Sequence, residues 1–294
     1  MTVTSKHLDL IMTKHNRIAN LQVIFLDIEK YSQRRTLTQI EIIDSFTHLL
    51  GAALKSTAQK YIEYSQANEL NLQHDVIALP TGDGAAVIFS FDGLHDMHLY
   101  FAKELLKVTH ENNTKNSCEK FNEYGWCNCH PCYNLRIGIS EGRGIIFKDL
   151  NGNYNAAGSV LNLAARVMGL ADRNQIIFTE EAFHQIVDMV DDPHLVDHFT
   201  RYDQVSIKHN LKINVYQYKD EKTPFINSAQ VEDLMLKQKA NTAIKKLSAM
   251  GLPIPNGDLP DLDKRVMVDF LDKFCTSMTE SFNVISTGKD NTTI

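Results

Sequence analysis

The sequence lacks the features that would place the protein in a membrane, outside the cell or on nucleic acid. No apolar run reaches the length of a membrane span, and the polar start MTVTSKHLDL is not typical of a signal peptide. The formal net charge is −6, so the chain has no basic excess for general nucleic-acid binding. We therefore expect a cytoplasmic protein with no membrane partner and no nucleic-acid partner.

Cysteine is scarce as well. There are five cysteines, an odd number, and three of them lie in the short stretch CNCHPC, which argues against a disulfide scaffold. Cys127, Cys129 and Cys132 are candidate ligands of a structural Zn²⁺, with Cys118 and His110 nearby in the sequence. The spacing is not that of two CxxC pairs, so free cysteines in a reducing compartment remain the alternative.

The order of apolar patterns predicts an α+β fold. Short β-branched runs alternate with longer runs of helical periodicity, which favours an α/β sandwich with a mixed central sheet flanked by helices. The predicted strands are 21–28, two strands of a hairpin within 77–89, 134–140, 175–179, 202–208 and 212–219. The predicted helices are 38–61, 94–110, 158–171 and 180–190.

Composition predicts three parts of the chain. Residues 1–20 are expected to form a polar lead-in helix, and residues 21–220 a main domain with a Cys-rich insertion at 111–134. Residues 221–294 are expected to form a helical extension around a Pro/Gly linker, ending in a flexible tail. We expect this extension to pack against the domain or to stabilise a dimer.

Two aspartates stand at the ends of predicted strands. In VIFLDIEKYS an apolar strand ends at Asp27, and in IALPTGDGAAVIF the hairpin turn carries Asp83 between two glycines. Two carboxylates at neighbouring strand ends suit Mg²⁺ or Mn²⁺, which prefer oxygen ligands. An aspartate at a strand end is more often a loop or capping residue, so this pattern alone favours neither role.

A predicted helix carries two polar residues among apolar ones. In GSVLNLAARV, Asn162 and Arg166 are four residues apart and share one helix face. A ribose and a phosphate would provide hydrogen-bond partners for both side chains. The alternative is an ordinary exposed polar stripe.

Four motifs together resemble one enzyme family. FLDIEKYS, TGDGAAVIF, LRIGISEGRG and YNAAGSVLNLAARV occur in the order and spacing of the class III nucleotidyl cyclase domain, the family of adenylate and guanylate cyclases. The resemblance covers roughly residues 20 to 220 and implies that the main domain is the catalytic domain, with a ferredoxin-like palm fold.

The resemblance also implies roles for individual residues. It implies that Asp27, Asp83 and the carbonyl of Ile28 bind the metal ions. It also implies that Asn162 orients the ribose and that Arg166 stabilises the transition-state phosphate. A lysine of the last hairpin should contact the polyphosphate, either Lys208 or Lys212, of which we prefer Lys212. The implied cofactors are two Mg²⁺ or Mn²⁺ ions per site, and the implied assembly is a homodimer with its sites at the interface.

The positions that would read the base depart from the purine cyclases. Leu79 stands where ATP-selective members have lysine, and Asn155 stands where they have Asp or Thr; the glutamate and cysteine of guanylate cyclases are absent too. This pattern resembles the pyrimidine cyclases of bacterial Pycsar anti-phage defence. It implies that CTP or UTP, with CTP slightly preferred, is cyclised to a messenger that activates an effector. The alternatives are an adenylate cyclase with an atypical base pocket and a catalytically silent nucleotide-sensing module.

Overall fold

The computed structural model describes residues 5–14, 16–208, 211–231 and 234. The chain divides after Ala229, so the predicted C-terminal helices and tail lie almost wholly outside the described residues. Within the part described, no helix combines the length and the apolar character needed to cross a membrane.

Helices and strands alternate along the chain, with a 3₁₀ turn at Tyr31–Gln33 and another at Leu195–His198. The α-helices are α1 (Lys6–Lys14), α2 (Thr36–Lys60), α3 (Ile62–Ala67), α4 (Met97–Asn116), α5 (Glu119–Tyr124), α6 (Ser159–Met168) and α7 (Glu180–Met189). The strands are β1 (Ile18–Ile28), β2 (Ile77–Pro80), β3 (Gly84–Phe89), β4 (Leu135–Lys148), β5 (Tyr154–Ala157), β6 (Gln175–Thr179), β7 (Phe199–Ile207) and β8 (Leu211–Tyr218).

The strands form one mixed sheet of eight strands. Their order is β2-β3-β1-β4-β6-β8-β7, and β5 pairs with the second half of β4. The pair β4–β6 is parallel, whereas the other pairs are antiparallel. The α+β fold with a mixed sheet flanked by helices, as predicted from the sequence, is therefore confirmed.

Alternating residues of the strands build a core on each face of the sheet. On one face, Ile24 and Leu26 of β1 belong to a buried cluster with Phe101 of α4. That cluster also takes in apolar residues of α2 and α7, including Ile42, Phe46 and Ile186. The opposite face, with Leu21 and Val23, is covered by α1 and α6 through Leu8, Ile11, Val160 and Ala164.

The beginning of the chain differs from the prediction of a polar lead-in helix over 1–20. Helix α1 ends at Lys14, and β1 starts at Ile18 after two left-handed residues, Asn16 and Arg17, with φ of 50° and 69°. Pairing with β4 is the reason, since Ile18 lies opposite Ile145 and extends the sheet. The helix is part of the core, because Leu8 is fully buried.

The strand predicted over 134–140 is longer in the structure and includes the glycine-rich stretch EGRGIIF that follows it. This stretch continues β4 to Lys148, because one edge of this segment pairs with β1 and its end pairs with β5. At the other end of the domain, the chain returns to the core after β8. Ile226 is buried there and Asn227 donates to the carbonyl of Arg173, so the first unit continues through Ala229.

Candidate active site

Asp27 and Asp83 lie on adjacent strands at one end of the sheet. Asp27 pairs with Gly84 in the β1–β3 register, and the main-chain N–H of Ile28 donates to the Asp83 carbonyl at 2.9 Å. The approach is close, since a Cβ at Gly84 would lie 2.0 Å from the Leu26 carbonyl oxygen. Asp27 is buried, whereas Asp83 is exposed at the turn after Gly82.

The carboxylate of Asp27 has a cationic partner that the sequence motifs did not reveal. Arg136, directly opposite Asp27 in the β1–β4 register, donates from Nε at 2.8 Å and from a terminal nitrogen at 2.6 Å, both to Oδ2. Such a charge-assisted pair holds the half-exposed guanidinium over the strand end. Arg136 stands within the motif LRIGISEGRG, but only the strand register shows which residue it meets.

The donors at this strand end fit a hard divalent cation. They are two carboxylates and the Ile28 carbonyl, and this carbonyl lies on the β3 side because a strand residue directs its N–H and C=O to the same side. Asp27 already accommodates a positive charge, that of Arg136, at its Oδ2. Among the residues described, the Asp83 carboxylate has no ion pair or hydrogen bond, so it is available as a ligand.

Helix α6 is held against the sheet by a glycine. A Cβ at Gly138 of β4 would lie 2.3 Å from both the Ala164 carbonyl oxygen and the Met168 nitrogen, which leaves room for glycine alone. Val160, Ala164 and Val167 form the buried face of the helix. The opposite face therefore projects Asn162, exposed, and Arg166, half-buried, away from the sheet.

These two side chains line an open groove of about 630 Å³ together with the end of β7. Ser206, Ile207 and Lys208 form the β7 side of this groove. Within the described part of the chain, Asn162 and Arg166 make no side-chain hydrogen bond and no ion pair. The groove thus offers an amide, a guanidinium and an ammonium to a ligand, and its volume is in the range of small-molecule and cofactor sites.

The two candidate lysines occupy different positions. Lys208, at the end of β7, lines the groove with Arg166. Lys212 lies on β8 opposite Ser206 and is not among the described residues that line the groove. The aspartates do not line it either, so the structure gathers the predicted residues into two groups, one at the β1 end and one on α6.

The two candidate base-reading residues lie on the edge strands β2 and β5. Leu79 of β2 is half-buried against the apolar cluster that includes Ile77 and Ile146. Asn155 of β5 lies opposite Phe147, and its Oδ1 accepts from the main-chain N–H of Ala156 at 2.7 Å. The amide of Asn155 therefore presents its NH₂ group as the remaining donor.

Comparison of the whole chain with known proteins finds matches among solved structures only. No protein-family model and no curated protein matches the sequence. A bacterial light-regulated adenylyl cyclase superimposes with a TM-score of 0.50 at 14% identity, over 74% of this chain and 57% of that chain. The chain has a nucleotide cyclase fold.

Two further cyclase structures superimpose at lower scores. The adenylyl cyclase CyaB from P. aeruginosa has a TM-score of 0.46 at 18% identity, over 70% of this chain and 96% of that chain. The guanylate cyclase domain of RhGC from Catenaria anguillulae, solved in complex with GTP, has a TM-score of 0.46 at 15% identity. The superposition with that domain covers 69% of this chain and 98% of that chain.

Proposed function

We propose that the protein is a nucleotidyl cyclase that converts a pyrimidine nucleoside triphosphate, CTP or UTP, into the 3′,5′-cyclic monophosphate and pyrophosphate. The observation that carries this proposal is the groove on α6. It brings Asn162, Arg166 and Lys208 together. Among the described residues, the side chains of Asn162 and Arg166 have no hydrogen-bond or ion-pair partner. An amide and two cations in one groove suit a ribose attached to a triphosphate.

The chain's own residues account for the binding and the charge stabilisation in this reaction. Asn162 holds the ribose so that its 3′ oxygen faces the α-phosphorus. The new 3′ O–P bond forms as the bond from the α-phosphorus to the bridging oxygen breaks, which releases pyrophosphate, and the hydroxyl proton passes to water. Arg166 donates to the α-phosphoryl oxygens as charge builds up there. Lys208 pairs with the polyphosphate, so we now favour Lys208 over Lys212 for this role.

Asp27, Asp83 and the Ile28 carbonyl would hold the divalent ions. When bound, Mg²⁺ or Mn²⁺ lowers the pKa of the 3′ hydroxyl and shields the phosphate charge. Arg136 would leave Oδ2 of Asp27 for the polyphosphate, because a cation at that carboxylate repels the guanidinium and an anion attracts it.

The choice of a pyrimidine rests on Leu79 and Asn155. Leu79 cannot form a side-chain hydrogen bond. It therefore cannot recognise a base at the position where the resemblance places a base-reading lysine. The NH₂ group of Asn155 can donate to a base acceptor, and both cytosine and uracil present one. The proposal therefore includes both bases, with a slight preference for CTP.

The assembly and the cellular role complete the proposal. Since the aspartates and the α6 groove form separate groups, two chains arranged as a symmetric dimer would complete two sites, each with aspartates from one chain and Asn162 and Arg166 from the other. The cyclic product would activate an effector with a cyclic-nucleotide sensor, in a bacterial defence against phage.

One experiment tests the activity and the base together. Purified protein is incubated separately with ATP, GTP, CTP and UTP in Mn²⁺, and the products are identified by mass spectrometry. Asp83→Ala is the blank, because Asp83 is exposed and has no side-chain partner in the described structure, so its loss should leave the fold intact. A matched control is Asp44→Ala, an exposed position on α2 that belongs to neither group of candidate residues.

The outcomes separate the three hypotheses. A cyclic pyrimidine product that the blank lacks and Asp44→Ala retains supports the proposal and identifies the base. Cyclic AMP as the main product favours the adenylate cyclase with an atypical pocket. Nucleotide binding without any cyclic product favours the sensing module.

A further inference from the structure

The Cys-rich segment folds into a small cluster that shares no residue with either group of candidate catalytic residues. Cys118 precedes α5, and the chain after that helix carries Cys127, Cys129 and Cys132 before β4 begins. Phe121 of α5 packs against Cys127 and Cys132, so the helix and the cysteine loop share one buried patch.

Three of these thiols converge. The sulfur atoms of Cys118, Cys127 and Cys129 all lie within 4.8 Å of one another, and those of Cys118 and Cys129 are 3.1 Å apart. A tetrahedral Zn²⁺ with Zn–S bonds of about 2.3 Å holds its sulfurs about 3.8 Å apart, which is within this range. The sequence had indicated Cys127, Cys129 and Cys132; the fold adds Cys118.

Cys132 is the candidate for the fourth ligand, although it lies outside the group of three converging sulfurs. It is fully buried beside Cys127 in the same patch. The proposed site therefore consists of three converging sulfurs and one further thiol in the same buried patch.

A buried arginine beside this cluster forms no ion pair in the described structure. Arg34 is only 4% exposed, and one of its terminal nitrogens donates to the carbonyls of Cys127 and Cys132 at 2.5 and 3.2 Å. Its Nε and other terminal nitrogen have no partner in the described structure. The charge of Glu29 acts on Arg34 only from beyond ion-pair distance, and neutral thiols supply no negative charge of their own. A Zn²⁺ held by four thiolates carries a net charge of −2 and would therefore supply a counter-charge to Arg34.

We propose that Cys118, Cys127, Cys129 and Cys132 bind one structural Zn²⁺, and that Arg34 is the buried counter-charge of this zinc tetrathiolate. The site is independent of the proposed cyclase chemistry, because it uses none of the residues assigned to it. Each of the four sulfurs loses its proton to solvent on binding, and no redox step is involved.

Zinc at this position would fix the segment that follows β1. Besides the contacts of Arg34, the main-chain N–H of Arg35 donates to Oδ1 of Asn128 at 2.8 Å, and Thr38 donates to the Asn128 carbonyl at 3.3 Å. The cysteine loop thus contacts residues 34–38, the end of the connection after β1 and the first turn of α2. The ion would stabilise these residues because it would make the cysteine loop, which contacts them, more rigid.

The test measures metal content in the full chain, purified under reducing conditions without added chelator. Elemental analysis should find about one zinc per chain. Cobalt substitution should give the intense sulfur-to-metal charge-transfer and visible bands of a tetrahedral tetrathiolate. In the double variant Cys118→Ser/Cys129→Ser, whose positions are not buried, zinc should fall at least tenfold. A chelator should lower the melting temperature of the native chain and not that of the double variant.

Two control variants make the result specific. Cys275→Ser changes the fifth cysteine of the sequence, which is not one of the four proposed ligands, and Asp83→Ala removes a candidate catalytic ligand; both should keep their zinc. Three results would overturn the proposal: reduced protein that contains no zinc and binds no cobalt, zinc that is lost with Asp83, or a Cys118–Cys129 disulfide in protein kept reduced throughout purification. Native protein that contains zinc but forms no cyclic nucleotide would count against the proposed function alone.

Discussion

At the scale of single residues, side chains without partners mark the candidate site. Asn162 and Arg166 form no side-chain hydrogen bond or ion pair among the described residues, while Asp27 is paired with Arg136. The first two can meet a ligand without breaking an existing bond. Binding of cations at Asp27, by contrast, has to displace a guanidinium, so we expect metal and triphosphate to bind in a coupled manner.

The two lysines of the last hairpin give a paired prediction. Lys208→Ala should raise the KM for the triphosphate about tenfold or more, because its ammonium lines the groove with Arg166. Lys212→Ala, an exposed change of the same chemistry on β8, should stay within about twofold of the native enzyme. Steady-state kinetics of the two variants decides this assignment, and the opposite ranking would restore Lys212 as the polyphosphate ligand.

A buried histidine predicts how stability depends on pH. His98 of α4 is fully buried against the edge of Phe178, and neither ring nitrogen has a partner in the described structure. Burial lowers the pKa of His98 to about 3. The unfolded chain binds this proton below its ordinary pKa of about 6.5, so native stability falls as the pH drops from there towards 3, by up to about 1.4 kcal/mol per pH unit.

Replacing that histidine should remove this part of the pH dependence. His98→Phe is expected to lose less unfolding free energy than the native protein between pH 7 and pH 5, whereas His194→Phe, at an exposed position, should behave as the native protein does. Urea denaturation at several pH values provides the measurement. If the unfolding free energies of native protein and His98→Phe change equally with pH, another group is responsible for the pH dependence.

At the scale of elements, the position of α6 depends on the glycine beneath it. Since a Cβ at Gly138 would collide with main-chain atoms of α6, Gly138→Ala must displace the helix that carries Asn162 and Arg166. We expect a loss of about 1–3 kcal/mol in stability and a larger than tenfold fall in kcat.

The same chain offers a matched control for this substitution. Gly51 lies within α2, and a Cβ there meets nothing within 4 Å. Gly51→Ala should therefore stabilise the protein by about 0.5–1 kcal/mol and leave kcat unchanged. Denaturation and initial rates of both variants test the pair. A Gly138→Ala enzyme with native kcat would mean that α6 does not position the catalytic groups.

How much of this could be predicted from the sequence differs between elements. Buried strands and amphipathic helices were recognisable because periodicity is local, so β1, β6 and α7 were predicted closely. The stretch EGRGIIF was not, because its strand conformation depends on pairing with β1 and β5. Arg136 was missed for a similar reason: its bond to Asp27 joins residues 109 positions apart, and only the register brings them together.

At the scale of the whole molecule, separation of the two residue groups predicts complementation between chains. Asp83→Ala and Arg166→Ala should each be inactive alone. Mixed under conditions that allow exchange of subunits, they should recover roughly a quarter of native activity, since half of the dimers are mixed and each of these has one intact site. Rates measured after co-refolding, against each variant refolded alone, provide the test. No recovery, with mixed dimers demonstrated, would place a whole site within one chain.

The first helix links the start of the chain to the positions that would face the base. The main chain of Ser5 forms hydrogen bonds with the hydroxyl of Tyr154, next to Asn155, and Leu8 lies in the same apolar cluster as Leu79. Substitutions in α1 can therefore shift both edge strands without altering any residue that meets the nucleotide. Substrate preference could change during evolution, or be selected in the laboratory, through substitutions in a helix to which no role in binding or catalysis is assigned.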